Sequence, residues 1–255
     1  MAETYARRLE EPASLSETSV HEVEPMTNLP KNYGTGPGPI TADGCAVDYY
    51  ATLTPNGEPE RIHGAIPPGA SILELGAGTG RITHRLVELD HEVVAVDQSP
   101  EMLTHIVGVE TVCSSIETLQ LGRRFDLVLL MSFVIETADD QQRGAFLATC
   151  RRHVSDGGSV VLQRHPPEWY DAIEPIERRL DDGRTFRLRD LSRPAPDLLA
   201  ATTEYTIGDR RWTHFFISKR LDDEQLEAAL ARADLVLAEF IDGDREWVRA
   251  IPRPL

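Results

Sequence analysis

Apolar residues along this chain gather into short, nearly continuous runs separated by stretches of mixed polarity, and the alternation is densest between residues 70 and 163. The runs 71–75, 92–97, 109–113, 125–131 and 158–163 are rich in Val, Ile and Leu and too short for helices, which predicts strands. Between them, 79–89, 99–107 and 139–153 carry mixed apolar and polar residues at helical spacing. Apolar strands separated by helices imply a parallel sheet covered on both faces. After Gln163 the pattern changes. His165-Pro166-Pro167 breaks the chain, Glu168 to Leu180 has helical spacing, and 185–191, 198–207 and 211–220 alternate as strands. Ile207-Gly208-Asp209-Arg210 is a hairpin signal, so about three strands should form a small antiparallel insertion. Leu221-Asp222-Asp223-Glu224 opens a helix with acidic residues at its positive end, and 235–241 and 246–251 supply two closing strands.

Residues 1 to 40 hold few large apolar side chains, which predicts a mobile N-terminal tail ahead of one domain from 41 to 255, with the insertion at about 180–221. Asp43 to Leu53 has the look of a short helix carrying Tyr49 and Tyr50.

The chemistry concentrates in Glu74-Leu75-Gly76-Ala77-Gly78-Thr79-Gly80, a glycine turn between the first strand and its helix. Glycine there permits positive φ and leaves backbone N–H groups open to a ligand. Asp97 closes the next strand, 17 residues beyond Gly80, where a carboxylate can accept both hydroxyls of a ribose. A dinucleotide site uses G-x-G-x-x-G to seat a pyrophosphate on the helix N-terminus. Here the spacing is G-x-G-x-G with an acid two residues ahead, which suits a ligand carrying an ammonium group.

These residues resemble motif I of the class I S-adenosylmethionine-dependent methyltransferases. The order of elements is similar to that of the small-molecule methyltransferases of bacterial, actinobacterial-type natural-product and antibiotic biosynthesis. The resemblance implies a Rossmann-like α/β fold: a seven-stranded, mostly parallel sheet with helices on both faces and the antiparallel insertion over the active site. It implies S-adenosylmethionine as cofactor, with Glu74 toward its ammonium, Gly76, Ala77, Gly78 and Gly80 lying against it, and Thr79 and Arg81 bordering its carboxylate. Asp97 would hold the ribose, with Gln98 and Met102 beside the adenine. Family members usually carry D-A-x-x-L ahead of the fourth strand. This chain has Ser115-Ile116-Glu117-Thr118-Leu119, so Ser115 and the Ile116 backbone would stand at the adenine amino group. Met131, Ser132 and Phe133 would line the sulfonium pocket, and Tyr49 would belong to an N-terminal aromatic lid.

Composition limits the acceptor. A net charge of −16 and a pI near 4.9 argue against a nucleic-acid substrate, which leans on a positive surface. Cys45, Cys113 and Cys150 form no C-x-x-C pair, as in a reducing compartment. The longest apolar runs are too short to cross a bilayer, and the acidic N-terminus has no signal-peptide core. A cytoplasmic monomer or homodimer with no membrane partner is expected. Metal-ligand spacing is absent among the eight histidines, so no metal is expected. Methyl transfer to nitrogen or oxygen of a small molecule, a specialised metabolite, is the leading expectation. The alternatives are carbon methylation of a keto acid or aromatic ring, and a non-catalytic scaffold. His165 is the first candidate base, with Tyr50 and Glu136 behind it; Tyr170, Trp212 and His214 are candidate acceptor contacts, and Trp212, His214 and Phe216 alternate on one strand face that lines either an aromatic acceptor pocket or the core of the insertion.

Overall fold

Alternating apolar strands need cover on both faces, and the structure supplies it with two helical layers around one sheet. The computed structural model describes residues 29–254 apart from Asp181 and Asp242. In chain order the elements are β1 (Tyr33–Thr35), α1 (Val47–Tyr50), α2 (Glu58–Gly64), β2 (Ser71–Leu75), α3 (Thr83–Glu88), β3 (Glu92–Asp97), α4 (Pro100–Leu103), β4 (Glu110–Cys113) and β5 (Phe125–Leu130). There follow α5 (Asp140–His153), β6 (Val154–Gln163), α6 (Pro167–Ala172), β7 (Ile176–Arg179), β8 (Thr185–Ala195), β9 (Leu198–Ile207), β10 (Arg210–Lys219), α7 (Asp223–Arg232), β11 (Leu235–Phe240) and β12 (Trp247–Pro252).

The main sheet runs β11-β12-β6-β5-β2-β3-β4. β2 pairs in parallel with both β3 and β5, whereas β12 is antiparallel to β6 and β11. This is the Rossmann-like, seven-stranded, mostly parallel architecture. Side-chain alternation sends Leu73, Val94, Val128 and Val160 to one face, under α5 and α7, and Ile72, Val93, Leu127 and Val161 to the other, under α2 and α3. The chain leaves β2 in one direction for β3 and β4, then returns on the other side as β5. Ligands in such sheets bind where that reversal opens a crevice at the strand carboxyl ends.

The antiparallel insertion is larger than the alternation alone predicts. Five strands, in the order β1-β10-β9-β8-β7, form the cap sheet. The expected helix from Glu168 to Leu180 ends at Ala172 because Pro175 cannot supply a helical N–H and pushes Glu174 toward extended backbone; Ile176–Arg179 then pairs with β8. The hairpin turn holds Gly208 at φ +60°, a first-loop-position conformation that favours glycine. Of the expected 1–40 tail, residues 1–28 lie outside the described residues, while Tyr33–Thr35 pairs with Thr213–Phe215 of β10. No helix of the described residues is long and apolar enough to cross a membrane.

Candidate functional site

The crevice at the chain reversal is a cavity of about 470 Å³, walled by the turn after β2, the ends of β3, β5 and β6, the N-terminal segment before and through α1, and the inner face of the cap. The glycine turn forms its floor. Gly76 and Gly78 adopt φ +72° and +57°, and a Cβ at either would meet nothing within 4 Å, so bare backbone faces open volume. The helix expected at 79–89 starts only at Thr83. Gly80 at φ +83° is not helical, and a Cβ there would approach Ile106 Cγ1 to 2.8 Å.

Two acids flank the turn. Glu74 is 3% exposed at the end of β2, and its Oε2 accepts the Thr83 hydroxyl at 2.5 Å. Burial, which penalises the charged form, pushes its carboxyl up to about 7. Asp97 Oδ2 accepts the Gly78 N–H and Oδ1 the Ser99 N–H, each at 2.8 Å. Burial raises this carboxyl against those two bonds. A carboxylate offers about four acceptor positions, so two remain for a diol. Arg81 borders the cavity with its Nη1 2.5 Å from Glu58 of α2. The Thr79 hydroxyl donates to the Tyr50 carbonyl at 3.1 Å, tying the turn to α1.

Across the cavity lies a second constellation. Glu136, 2% exposed, accepts from the His165 backbone N–H, from the His165 ring through Nδ1 at 2.8 Å and from the Ser218 hydroxyl at 3.0 Å. The Tyr170 hydroxyl is 2.5 Å from Ser218 Oγ. Burial foremost, and then the charge of Glu136, raises the Tyr170 phenol, so it donates. The His165 ring is stacked between Phe133 (3.8 Å) and Trp169 (3.7 Å). With Nδ1 assigned to Glu136, Nε2 makes no hydrogen bond among the described residues. Ser132 and Phe133 both sit at positive φ, +56° and +61°, a strained conformation for side-chain-bearing residues. The Ser132 N–H is anchored on Gln163 Oε1 at 3.0 Å.

Glu74, Gly76, Ala77, Gly78, Thr79, Arg81, Asp97, Gln98, Met102, Ile116, Met131, Ser132, Phe133, Glu136, Tyr50, His165 and His214 all line this one cavity. Five expected site residues do not. Tyr49 is stacked on Tyr205 at 4.0 Å and packs against Trp212, so both Tyr49 and Trp212 belong to the core between α1 and the cap. Trp212 does share a strand face with His214, but α1 covers that end of the strand. Gly80 packs toward His84 and Ile106. Ser115 bonds Thr118 at 2.8 Å while Ser114 and Ile116 take the wall. Tyr170 is buried behind Ser218 and reaches the cavity only through it. Tyr50 lines the wall, but the neighbouring Cys45 thiol, followed by burial, raises its phenol well above the usual range, which removes it as a base at neutral pH. Sequence reading missed Asn32, Asp43, Cys45, Glu117 and Ser218. Of the three residues alternating on that strand face, His214 and Phe216 line the cavity and Trp212 does not. Among the described residues no group of three or more His, Cys, Asp or Glu is placed to hold a metal ion.

Residues 72–158 match the family model described as a methyltransferase domain. An uncharacterized methyltransferase of Mycobacterium tuberculosis (strain ATCC 25618 / H37Rv) is 51% identical over 61 residues, 24% of this chain and 25% of that protein. A ubiquinone biosynthesis O-methyltransferase of Bradyrhizobium sp. (strain ORS 278) is 28% identical over 109 residues, 40% of this chain and 42% of that one. The chain thus spans only about a quarter of the length of the first curated relatives it matches. Among solved structures, the sugar N-methyltransferase KedS8 from Streptoalloteichus sp ATCC 53650 aligns with a TM-score of 0.68 at 22% identity, covering 85% of this chain and 98% of that one. That likeness establishes the fold.

Proposed function

We propose that this chain, which carries a methyltransferase domain on the fold of the S-adenosylmethionine-dependent methyltransferases, moves a methyl group from S-adenosylmethionine to nitrogen or oxygen of a small-molecule acceptor, a specialised metabolite. The observation that carries this reading is the open glycine backbone between buried Glu74 and half-buried Asp97 at the chain reversal. The cavity's residues fit the donor: Glu74 would face its ammonium, Asp97 would hold the ribose hydroxyls, Met102 and Ile116 would flank the adenine, and Phe133 and Met131 would bound the reacting end. When bound, the donor would supply an electrophilic methyl carbon with sulfur as its leaving group.

The chain's own groups position the acceptor and take its proton. Glu136 holds His165 with the proton on Nδ1, which leaves the Nε2 lone pair as the base, and it stabilises the imidazolium that follows. The Phe133–His165–Trp169 stack fixes the plane of the ring. Alignment of this kind supplies roughly 7–11 kcal/mol in well-oriented reactions. The sugar N-methyltransferase and O-methyltransferase similarities support a nitrogen or oxygen acceptor. Incubation with methyl-labelled donor and a panel of amine and hydroxyl metabolites should give labelled product that is lost in His165→Ala. Calorimetric donor binding without transfer to any acceptor would reject the transferase reading.

A further inference from the structure

Charge around the cavity narrows the acceptor. Acids line both halves of the walls: Asp43 close enough to Asp97 to raise its carboxyl, Glu117 directly after Ile116, and Glu136 opposite the donor half. Arg81 is the only lysine or arginine among the described lining residues, and Glu58 holds it on the donor side. None of the hydrogen bonds these acids accept comes from a lysine or arginine: Asp43 is met by the Thr41 hydroxyl and the Cys45 thiol, Glu117 by the Gln142 amide, Glu136 by Ser218 and His165. Arg143, behind this wall, is already engaged by Asp140 and by the Ile135 and Thr137 carbonyls. His214 adds no charge, because burial lowers its pKa and its Nε2 meets the Asp43 carbonyl.

A carboxylate as buried as Glu136, whose direct partners are Ser218 and His165, gains most from an arriving positive charge, whereas an anionic ligand would face it with no free lysine or arginine among the described lining residues. Phe133 and Phe216 also line the cavity, and aromatic rings there favour a cation. The net charge of −16 steers cations toward the protein.

Resting on the methyl-transfer reading of this cavity, we propose that the acceptor is an amine that enters as its ammonium ion, and that molecules presenting a carboxylate or phosphate to this wall are excluded. The ammonium passes one proton to His165 Nε2. The freed nitrogen lone pair forms the new N–C bond as the C–S bond breaks, both of its electrons staying on sulfur. The imidazolium, held by Glu136, then releases its proton to water.

Three isosteric probes test this: benzylamine, benzyl alcohol and benzoate, titrated into the full chain saturated with S-adenosylhomocysteine while the His165 ring signals are followed by NMR. Benzylamine should bind about tenfold tighter than benzyl alcohol, with benzoate weakest. Glu136→Gln should shrink that preference, read as the ratio of benzylamine to benzyl alcohol affinity within the same variant. Benzoate binding as tightly as benzylamine, equal binding of amine and alcohol, or no response of His165 to millimolar benzylamine would each overturn the proposal. Calorimetry with S-adenosylhomocysteine alone separates the two readings. Failure there removes the methyl-transfer site, whereas the amine preference of the donor-free chain still tests the charge pattern.

Discussion

Replacing Glu74 by Gln should make the protein more stable at alkaline pH while weakening its hold on the donor. The carboxyl titrates near 4.5 when exposed and at about 7 in the folded chain, a difference of about 2.5 units or roughly 3 kcal/mol. The folded pKa is raised, so between those values the folded protein keeps a proton that the unfolded chain has lost. Stability therefore falls as pH rises from 4.5 to 7, and above 7 the whole penalty is present. Gln titrates in neither state. The stability difference between variant and wild type should thus grow by about 3 kcal/mol from pH 4 to pH 8, roughly 6–12 °C in Tm for a chain of this size. Thermal melts of both proteins across that range measure it, and comparing the difference at two pH values cancels any pH-independent effect of the substitution. Donor binding supplies the second readout. A cationic ammonium favours ionised Glu74, so wild-type affinity should rise with pH up to about 7 and then level, with a proton released on binding below that point. The variant should bind more weakly and without that dependence. A stability difference that does not change with pH would refute the burial argument for Glu74.

Asp97→Ala should weaken donor binding by ~1–3 kcal/mol, roughly 5–150-fold, by leaving the ribose hydroxyls unpaired; calorimetry measures it, and unchanged affinity would remove Asp97 from the site. Glu136→Gln should lower kcat by roughly 10²-fold or more with donor affinity retained, because it unlocks the His165 tautomer; kcat and donor Kd measured side by side decide this. Gly144→Ala, in the interior of α5 with open space around its Cβ, should stabilise by about 0.5–1 kcal/mol, whereas Gly80→Ala should destabilise by at least about 1–2 kcal/mol, since φ is +83° and Ile106 stands 2.8 Å away. Melting temperatures of the two variants should move in opposite directions.

The sequence by itself determined the features that depend on neighbours along the chain. Strand runs such as 71–75 and 125–131, the capping box of Asp222 and Gln225 that starts α7, and the Gly208 turn all rest on local periodicity or local backbone conformation. The cavity wall around the glycine turn was equally legible, because a strand, its glycine turn and the acid closing the next strand form one short βαβ unit, and β2 and β3 pair directly. Pro175 was also visible, yet its effect on the helix after Glu168 was decided only when Ile176–Arg179 found β8 to pair with. The acceptor half was decided by tertiary structure. His165 reaches Glu136 across 29 positions, and Ser218 reaches it across 82. Trp212 and His214 share a strand face, but only the docking of α1 over one end of that strand places the first in the core and leaves the second on the cavity wall. Such contacts depend on how separate elements are stacked, and hydrophobic spacing constrains which face of an element is buried without saying what covers it.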